Sequence, residues 1–285
     1  MSRVYLDANV YNDILRENVA AEDVQAFRDA TRSGELVLHL SLANLEEFLG
    51  VWHENRCLAV ERLRLARDLA GFESLLKQPG DLLRDGMQAY ASGGSQALPT
   101  LPRNARRRLA RCLNRVASGS TTFDNEISQI VADVRAQKEA FNGQMAASRA
   151  EALARLTEAC GPAVIRQLRF EEWWRFAAAD WAQEFARPFG LADACRERGL
   201  EGLLTVRTVR LFVGTVMSLI YSQVVDGRQP DFGDGYDLWH VILASVADVF
   251  VTGDRRLAGH LTRIPAADGF RVVSSLRELL GSRGQ

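Results

Sequence analysis

Lysine is nearly absent from this chain. Its basic residues are almost all arginine, and Lys77 and Lys138 are the only lysines. Chemistry that needs a lysine therefore has two candidates, both far in sequence from the segments singled out below. Cysteine is sparse and scattered. Cys57, Cys112, Cys160 and Cys195 form no Cys-x-x-Cys pair, and the histidines are not clustered, so a zinc framework is excluded. Neither sign of charge dominates: the formal net charge is -1, so the molecule has no overall field to attract nucleic acid, and any polyanion site must be a local patch. Long hydrophobic runs are missing too. The longest, Leu211 to Val225, has 15 residues and is interrupted by Thr215, Ser218, Ser222 and Gln223. A membrane span needs about 20 mostly apolar residues, so this run reads as a buried helix. The opening Met-Ser-Arg-Val leads straight into a strand pattern with no leader, and a reduced, cytoplasmic setting is the expectation.

What is present is ordinary for a soluble globular chain. With 285 residues, 47% of them hydrophobic and 25% charged, it can bury a sizeable core as one large domain or two. The stretch Arg3 to Tyr11 organises the rest. Val4-Tyr5-Leu6 is a short β-prone run, Asp7 follows at once, and Asn9 stands two residues on. Val10, Ile14 and Leu15 then begin a helical pattern. An acid at the junction of a strand and a helix stands where ligands bind in open α/β sheets. Taken alone, Asp7 is better explained as a helix cap.

Further elements follow the same logic. Glu22 to Arg32 reads as a helix, and Leu36 to Leu40 as a second parallel strand buried on both faces. Ser41 is a good N-cap for a helix whose Leu42, Leu45, Leu49 and Trp52 form an apolar face. That helix carries Glu46 and Glu47 and runs to about Leu69, with or without a break near His53 to Arg56. From Gly71 the chain is punctuated by Pro79-Gly80, Ser92 to Ser95, Pro99 and Pro102, and beyond them, to about Val225, it reads as helical almost throughout. The aromatic stripe Phe170, Trp173, Trp174, Trp181 and Phe185 reads as core. Near Asp231 the α/β character returns. Gly233 to Asp237 is a turn, Leu238 to Val246 a helix, and Val249 to Val251 a buried strand closed by Thr252-Gly253-Asp254. Arg255 to Leu261, Arg271 to Val273 and Leu276 to Leu280 read as helix, strand and helix.

Four acids thus share one kind of position: Asp7 after the first strand, Glu46 near the start of the helix after the second, Asp237 at a helix start, and Asp254 after a late strand. If the strands are parallel neighbours, all four reach one cleft. Uncompensated carboxylates so placed either raise their pKa values or hold cations. Hard divalent ions, Mg²⁺ or Mn²⁺, suit that donor set. Glu47 lies beside Glu46 and about 100° away on the helix; the spacing from Ser41 favours Glu46. His240 lies three residues after Asp237, on nearby parts of one helix face, either reaching a bound ligand or bonding the backbone or a neighbour, and the second reading is preferred. Asp248 reads as structural. Arg255 and His260, after Asp254, could face phosphate.

In the order of these motifs the chain resembles the PIN-domain ribonucleases, a group that includes toxins of bacterial toxin–antitoxin pairs. The resemblance rests on Val-Tyr-Leu-Asp7-Ala-Asn9, Ser41 with Glu46, Asp237-Leu-Trp-His240, and Val-Phe-Val-Thr252-Gly-Asp254. It implies a three-layer α/β/α fold with a mainly parallel sheet. It also implies metal-dependent endoribonuclease activity carried by Asp7, Glu46, Asp237 and Asp254. Asp7, Asp237 and Asp254 would hold Mg²⁺ or Mn²⁺, with Asn9, Thr252 and His240 in support. The implied partners are RNA as substrate, a protein antitoxin or regulator, and a second copy of the chain, with no membrane partner. The likeness covers residues 1–70 and 230–285, and the helical segment 71–229 reads as a large insertion. In that insertion Arg103, Arg107, Arg111 and Arg115 recur every four residues, so they form either a row for successive phosphates or a solvated helix face.

Two other readings compete. A phosphatase of the haloacid-dehalogenase type needs a second Asp two residues after the first, where Asn9 stands, and a lysine near the site. A catalytically silent PIN-like module that binds RNA or protein would have had no use for four acids.

Overall fold

The β-prone runs of the sequence lie side by side. β1 (Ser2–Leu6), β2 (Leu36–His39), β3 (Val249–Val251) and β4 (Arg271–Val273) form one sheet in the order β2-β1-β3-β4. Every neighbouring pair is parallel: Tyr5 lies opposite His39 on one side and Phe250 on the other, and Phe250 opposite Val272. β1 is therefore an inner strand, as an acid reached from both ends of the chain requires. The computed structural model describes residues 1–120, 122–161, 167, 169–228, 234–266 and 269–281. Pro230, Asp231 and Gly233, and the side chains of Lys138 and Cys160, lie outside that description.

Side chains alternate across a strand, and here both faces are covered. Val4, Leu6, Val249 and Val251 enter one apolar core, while Tyr5 and Phe250 enter another. That is why β1 reads as a continuous apolar run rather than an alternating one. Val4, Tyr5 and Leu6 are fully buried, each worth about 1.5–3 kcal/mol of hydrophobic transfer. The core of Val4 and Leu6 is closed by α1 (Ala8–Leu15), α2 (Ala21–Arg32), α3 (Leu42–Leu49) and α4 (Arg56–Ala70). Ser41 caps α3, accepting the Asn44 N–H while Asn44 accepts the Ser41 N–H. α3 ends at Leu49 and does not run on; Asn55 accepts the Leu58 N–H and starts α4 afresh.

The long middle of the chain is helical, as expected. α5 (Pro79–Ser92), α6 (Arg103–Ala117), α7 (Asp124–Cys160), α8 (Phe170–Ala186), α9 (Ala192–Arg198), α10 (Leu200–Leu203) and α11 (Arg207–Val224) follow in turn. α6 packs on α4, and α8 and α5 pack on α11. These helices contribute to both cores. The aromatic stripe is core: Phe185 meets Phe212 edge-on at 4.8 Å and Trp173 meets Tyr221 at 5.4 Å. Three of the polar interruptions of α11 are satisfied within the packing, while the Gln223 amide nitrogen is buried without a partner among the described residues. Thr215 donates to the Leu211 carbonyl, Ser218 bonds His260, and Ser222 accepts from Arg263. No helix among the described residues is long and apolar enough to cross a membrane.

The chain returns to the sheet through α12 (Asp234–Ala244), then α13 (Arg255–Arg263) after β3 and α14 (Leu276–Gly281) after β4. α12 starts earlier than the sequence pattern suggests, so Asp237 sits inside its first turn. α7, 37 residues long and so about 55 Å, packs against both α3 and α12. Its Asn142 lies on Gly235, where an added Cβ would fall 1.7 Å from Asn142 Oδ1. Only glycine permits that approach.

Candidate active site

Parallel strands put all their carboxyl ends on one side, and the residues just past those ends are Asp7, Ser41 and Thr252 to Asp254. Asp7 is buried, only 6% exposed. It occupies the N-cap position of α1 without making a side-chain cap. Its Oδ2 instead accepts a hydrogen bond from Thr252 Oγ1 at 2.8 Å. The same Thr252 oxygen accepts the Asp254 N–H at 3.1 Å. One buried hydroxyl thus ties the end of β1 to the end of β3. The capping role falls to Asp254, whose Oδ1 accepts the N–H groups of Arg256 and Leu257.

Asp237 reaches the same end from α12. Burial pushes its carboxyl up to about 6; Asp254 and Asp234 act in the same direction, against the nearby Arg256 and His240. Arg256 is the resident cation of this cluster. Its Nη2 donates to Asp237 Oδ2 at 2.7 Å, and Nη1 lies 3.5 Å from the buried Asp234. Asp234 also accepts from Arg228 at 2.6 Å. The sequence pattern did not mark Asp234, Arg228 or Arg256. The signal for Arg256 was its place two residues after Asp254, in the first turn of the same helix.

The two glutamates part company. Glu46 is buried beside α7, with Arg135 Nε 3.9 Å from its Oε1. Glu47 Oε1 is 2.8 Å from His240 Nε2. His240 Nδ1 is in turn 3.1 Å from the Tyr5 hydroxyl, which lies 2.9 Å from Ser41 Oγ. Burial holds the Tyr5 hydroxyl well above its ordinary range, so it stays a donor. In a neutral His240 that donates from Nε2 to Glu47, the Tyr5 hydroxyl donates to Nδ1. His240 is thus a buried strut joining α12 to β1 and α3.

The remaining candidates lie apart. Asn9 is exposed on the first turn of α1. Arg103, Arg107, Arg111 and Arg115 are all exposed on α6, and Arg115 stacks over Phe123 at 5.5 Å. His260 does not face outward. It is 5% exposed, bonded by Ser218 and Arg228. Asp248 is structural, accepting from the Arg3 backbone and guanidinium.

No family model matches this chain, and neither a curated protein nor a solved structure does.

Whether the site suits a divalent ion turns on its donors. They are hard carboxylate oxygens, and although burial is the main cause of the raised Asp237 carboxyl, the Asp254 and Asp234 charges beside it would favour a cation. Among the described residues no three acids, histidines or cysteines are drawn round one point, and Arg256 already holds Asp237. The donor chemistry fits a hard cation, and such an ion would compete with the guanidinium.

Proposed function

We propose that the chain is a metal-dependent endoribonuclease of the PIN-domain type, with a three-layer α/β/α core built from residues 1–70 and 230–285 and a helical insertion at 71–229. The observation that carries this reading is the joining of Asp7 and Asp254 through Thr252 at the carboxyl ends of two adjacent parallel strands, with the Asp254 charge felt at Asp237. On this reading the protein works in the cytoplasm, toxin-like, against RNA, under a protein antitoxin or regulator and as a homodimer. The exposed arginines of α6 would meet successive phosphates.

Asp7, Asp237 and Asp254 would hold Mg²⁺ or Mn²⁺, with Glu46 joining directly or through water. When bound there, the ion would supply an acidified water and charge stabilisation at the leaving 3′ oxygen. The chain's own residues set the stage. Thr252 fixes the Asp7 carboxylate by donating to Oδ2. Asp254 is oriented by the N–H groups it caps. The Glu47–His240–Tyr5 link holds α12, and with it Asp237, against β1. The test is cleavage of a single-stranded RNA in Mg²⁺ or Mn²⁺ and its abolition by EDTA.

One observation favours a second reading. Arg256 neutralises Asp237 and lies beside Asp234, as it would in a silent PIN-like module that binds RNA or protein without cutting. Such a module binds in EDTA as well as in metal and leaves RNA intact in both.

A further inference from the structure

The acids at the carboxyl end of the sheet are closed in. Asp7 and Glu46 are buried, and only 13% of the Asp237 side chain is exposed. A hard divalent ion keeps waters and meets its substrate through open positions, so a strand of RNA needs some element to move before it reaches such an ion. The element that lies across is α7. It packs on α3 and α12, the helices that carry Glu46 and Asp237.

Two residues about two turns apart on one face of α7 make contacts there. Arg135 Nε is 3.9 Å from Glu46 Oε1, and its Nη2 would lie 3.9 Å from a Cβ added to Gly50, just past the end of α3. Asn142 is seated on Gly235, beside Asp234 in the first turn of α12. Tyr236, next to Asp237, joins the two contacts. Burial, then the charges of Glu46 and Glu139, hold its hydroxyl above the ordinary range, and Arg135 acts against them. Neither contact is strong. The Arg135 side chain is 54% exposed, and an exposed ion pair contributes little. The Asn142 amide is buried, yet neither its oxygen nor its nitrogen has a hydrogen-bond partner among the described residues. Such a group goes uncompensated while α7 is down and regains water when α7 lifts. The start of α7 is held differently. Asp124 accepts from Arg56 at 3.0 Å, Ser128 bonds His53 at 3.1 Å, and Ile127 is fully buried. The helix thus has a fixed end and, further along, a seat that favours release.

We propose that α7 is a hinged cover, fixed at residues 124–128 and latched by Arg135 on Glu46 and Asn142 on Gly235, which keeps the acid end closed to RNA until it lifts. This rests on the nuclease reading and gives part of the helical insertion a regulatory task at that same site.

Asn142 and Gly235 supply the test. A Cβ added at Gly235 would stand 3.1 Å from that of Asn142, near the roughly 3.5–4.5 Å of a disulfide. Asn142→Cys with Gly235→Cys, oxidised to the disulfide as intact mass confirms, pins α7 down in the full chain. Activity follows the fraction of molecules in the open state. The pair should therefore cut single-stranded RNA in Mn²⁺ about tenfold faster after dithiothreitol than before, while the parent is indifferent to it. Arg135→Gln, which leaves every acid in place, should cut about threefold faster than the parent. A second readout needs neither RNA nor metal. With Asn142→Cys alone, the new thiol should react with a maleimide about tenfold faster than the fully buried Cys195, and faster again with Arg135→Gln added. Equal cutting by the oxidised and reduced pair overturns the proposal. So does Arg135→Gln cutting no faster than the parent, or a thiol at position 142 as slow as Cys195. Cutting by no form counts against the nuclease reading alone, and the thiol rate still decides whether α7 lifts.

Discussion

Arg256 donates from Nη2 to Asp237 Oδ2 at 2.7 Å while Nη1 approaches Asp234 at 3.5 Å. A guanidinium therefore lies between two of the carboxylates that a divalent ion would seek. Arg256→Gln removes that competitor. Mn²⁺ should then bind more tightly, by roughly fivefold, since one neighbouring charge in a partly exposed site is worth about 1 kcal/mol. Mn²⁺ titration of parent and variant checks this; weaker binding by the variant would mean that Arg256 supports the ion rather than opposing it.

His260 makes a pH prediction. Arg228 donates to its Nε2 at 3.1 Å, so that nitrogen is unprotonated and Nδ1 faces Ser218. Burial, with Arg228 and Arg263, pushes the ring down to about 4. In the unfolded chain histidine titrates near 6.5. Between these values the unfolded state binds the extra proton, so stability rises with pH through this window and falls on acidification. The loss on going from pH 6.5 to 4 is on the order of 3 kcal/mol. Urea unfolding across that range should show a shallower decline for His260→Gln than for the parent. Parallel declines would show that His260 is not the group responsible.

The acid end of the fold was largely legible in the sequence because it is local. Val4-Tyr5-Leu6 and Val249-Phe250-Val251 are buried on both faces, so they read as apolar runs, and the acid after each is adjacent in sequence. Ser41 announced its cap by type and position. What could not be read are partnerships across long separations. His240 bonds Glu47 across 193 residues and Tyr5 across 235, and no periodicity encodes such a pair. The choice between Glu46 and Glu47 turns on contacts of the same kind, since it depends on what α12 and α7 bring to α3. The capping assignment also reversed. Asp7 and Asp254 are the same residue type in the same kind of junction, and only the Thr252 hydroxyl decides which carboxylate turns from its own helix.

Glu47 and Glu46 should therefore differ in their effect on stability. Glu47→Ala removes the acceptor of the buried His240 N–H and should cost about 1–3 kcal/mol. Pairing it with Tyr5→Phe in a double-mutant cycle should reveal coupling of about 0.5 kcal/mol or more through His240. Glu46→Ala should show no coupling to Tyr5→Phe. Equal coupling for both would break the proposed link.

The seat of α7 on α12 is testable at Gly235. Its substitution by alanine sets a methyl 1.7 Å from Asn142 Oδ1, so the Asn142 side chain or α7 itself must shift, at about 1–3 kcal/mol. Asn142→Ala in the same chain should recover most of that loss. Melting temperatures of the two single variants and the double variant decide it; additive losses would mean that Asn142 is not what meets the methyl.

The most direct measurement compares the parent and Asp7→Asn on a single-stranded RNA in Mn²⁺. Asparagine keeps an oxygen for the Thr252 hydroxyl, so the variant should fold as the parent does. The account predicts cleavage by the parent that EDTA abolishes, and a loss on the order of 100-fold in the variant, about 2.7 kcal/mol of transition-state stabilisation. A variant that cuts as fast as the parent, or a parent that cuts no RNA in either metal, would contradict it.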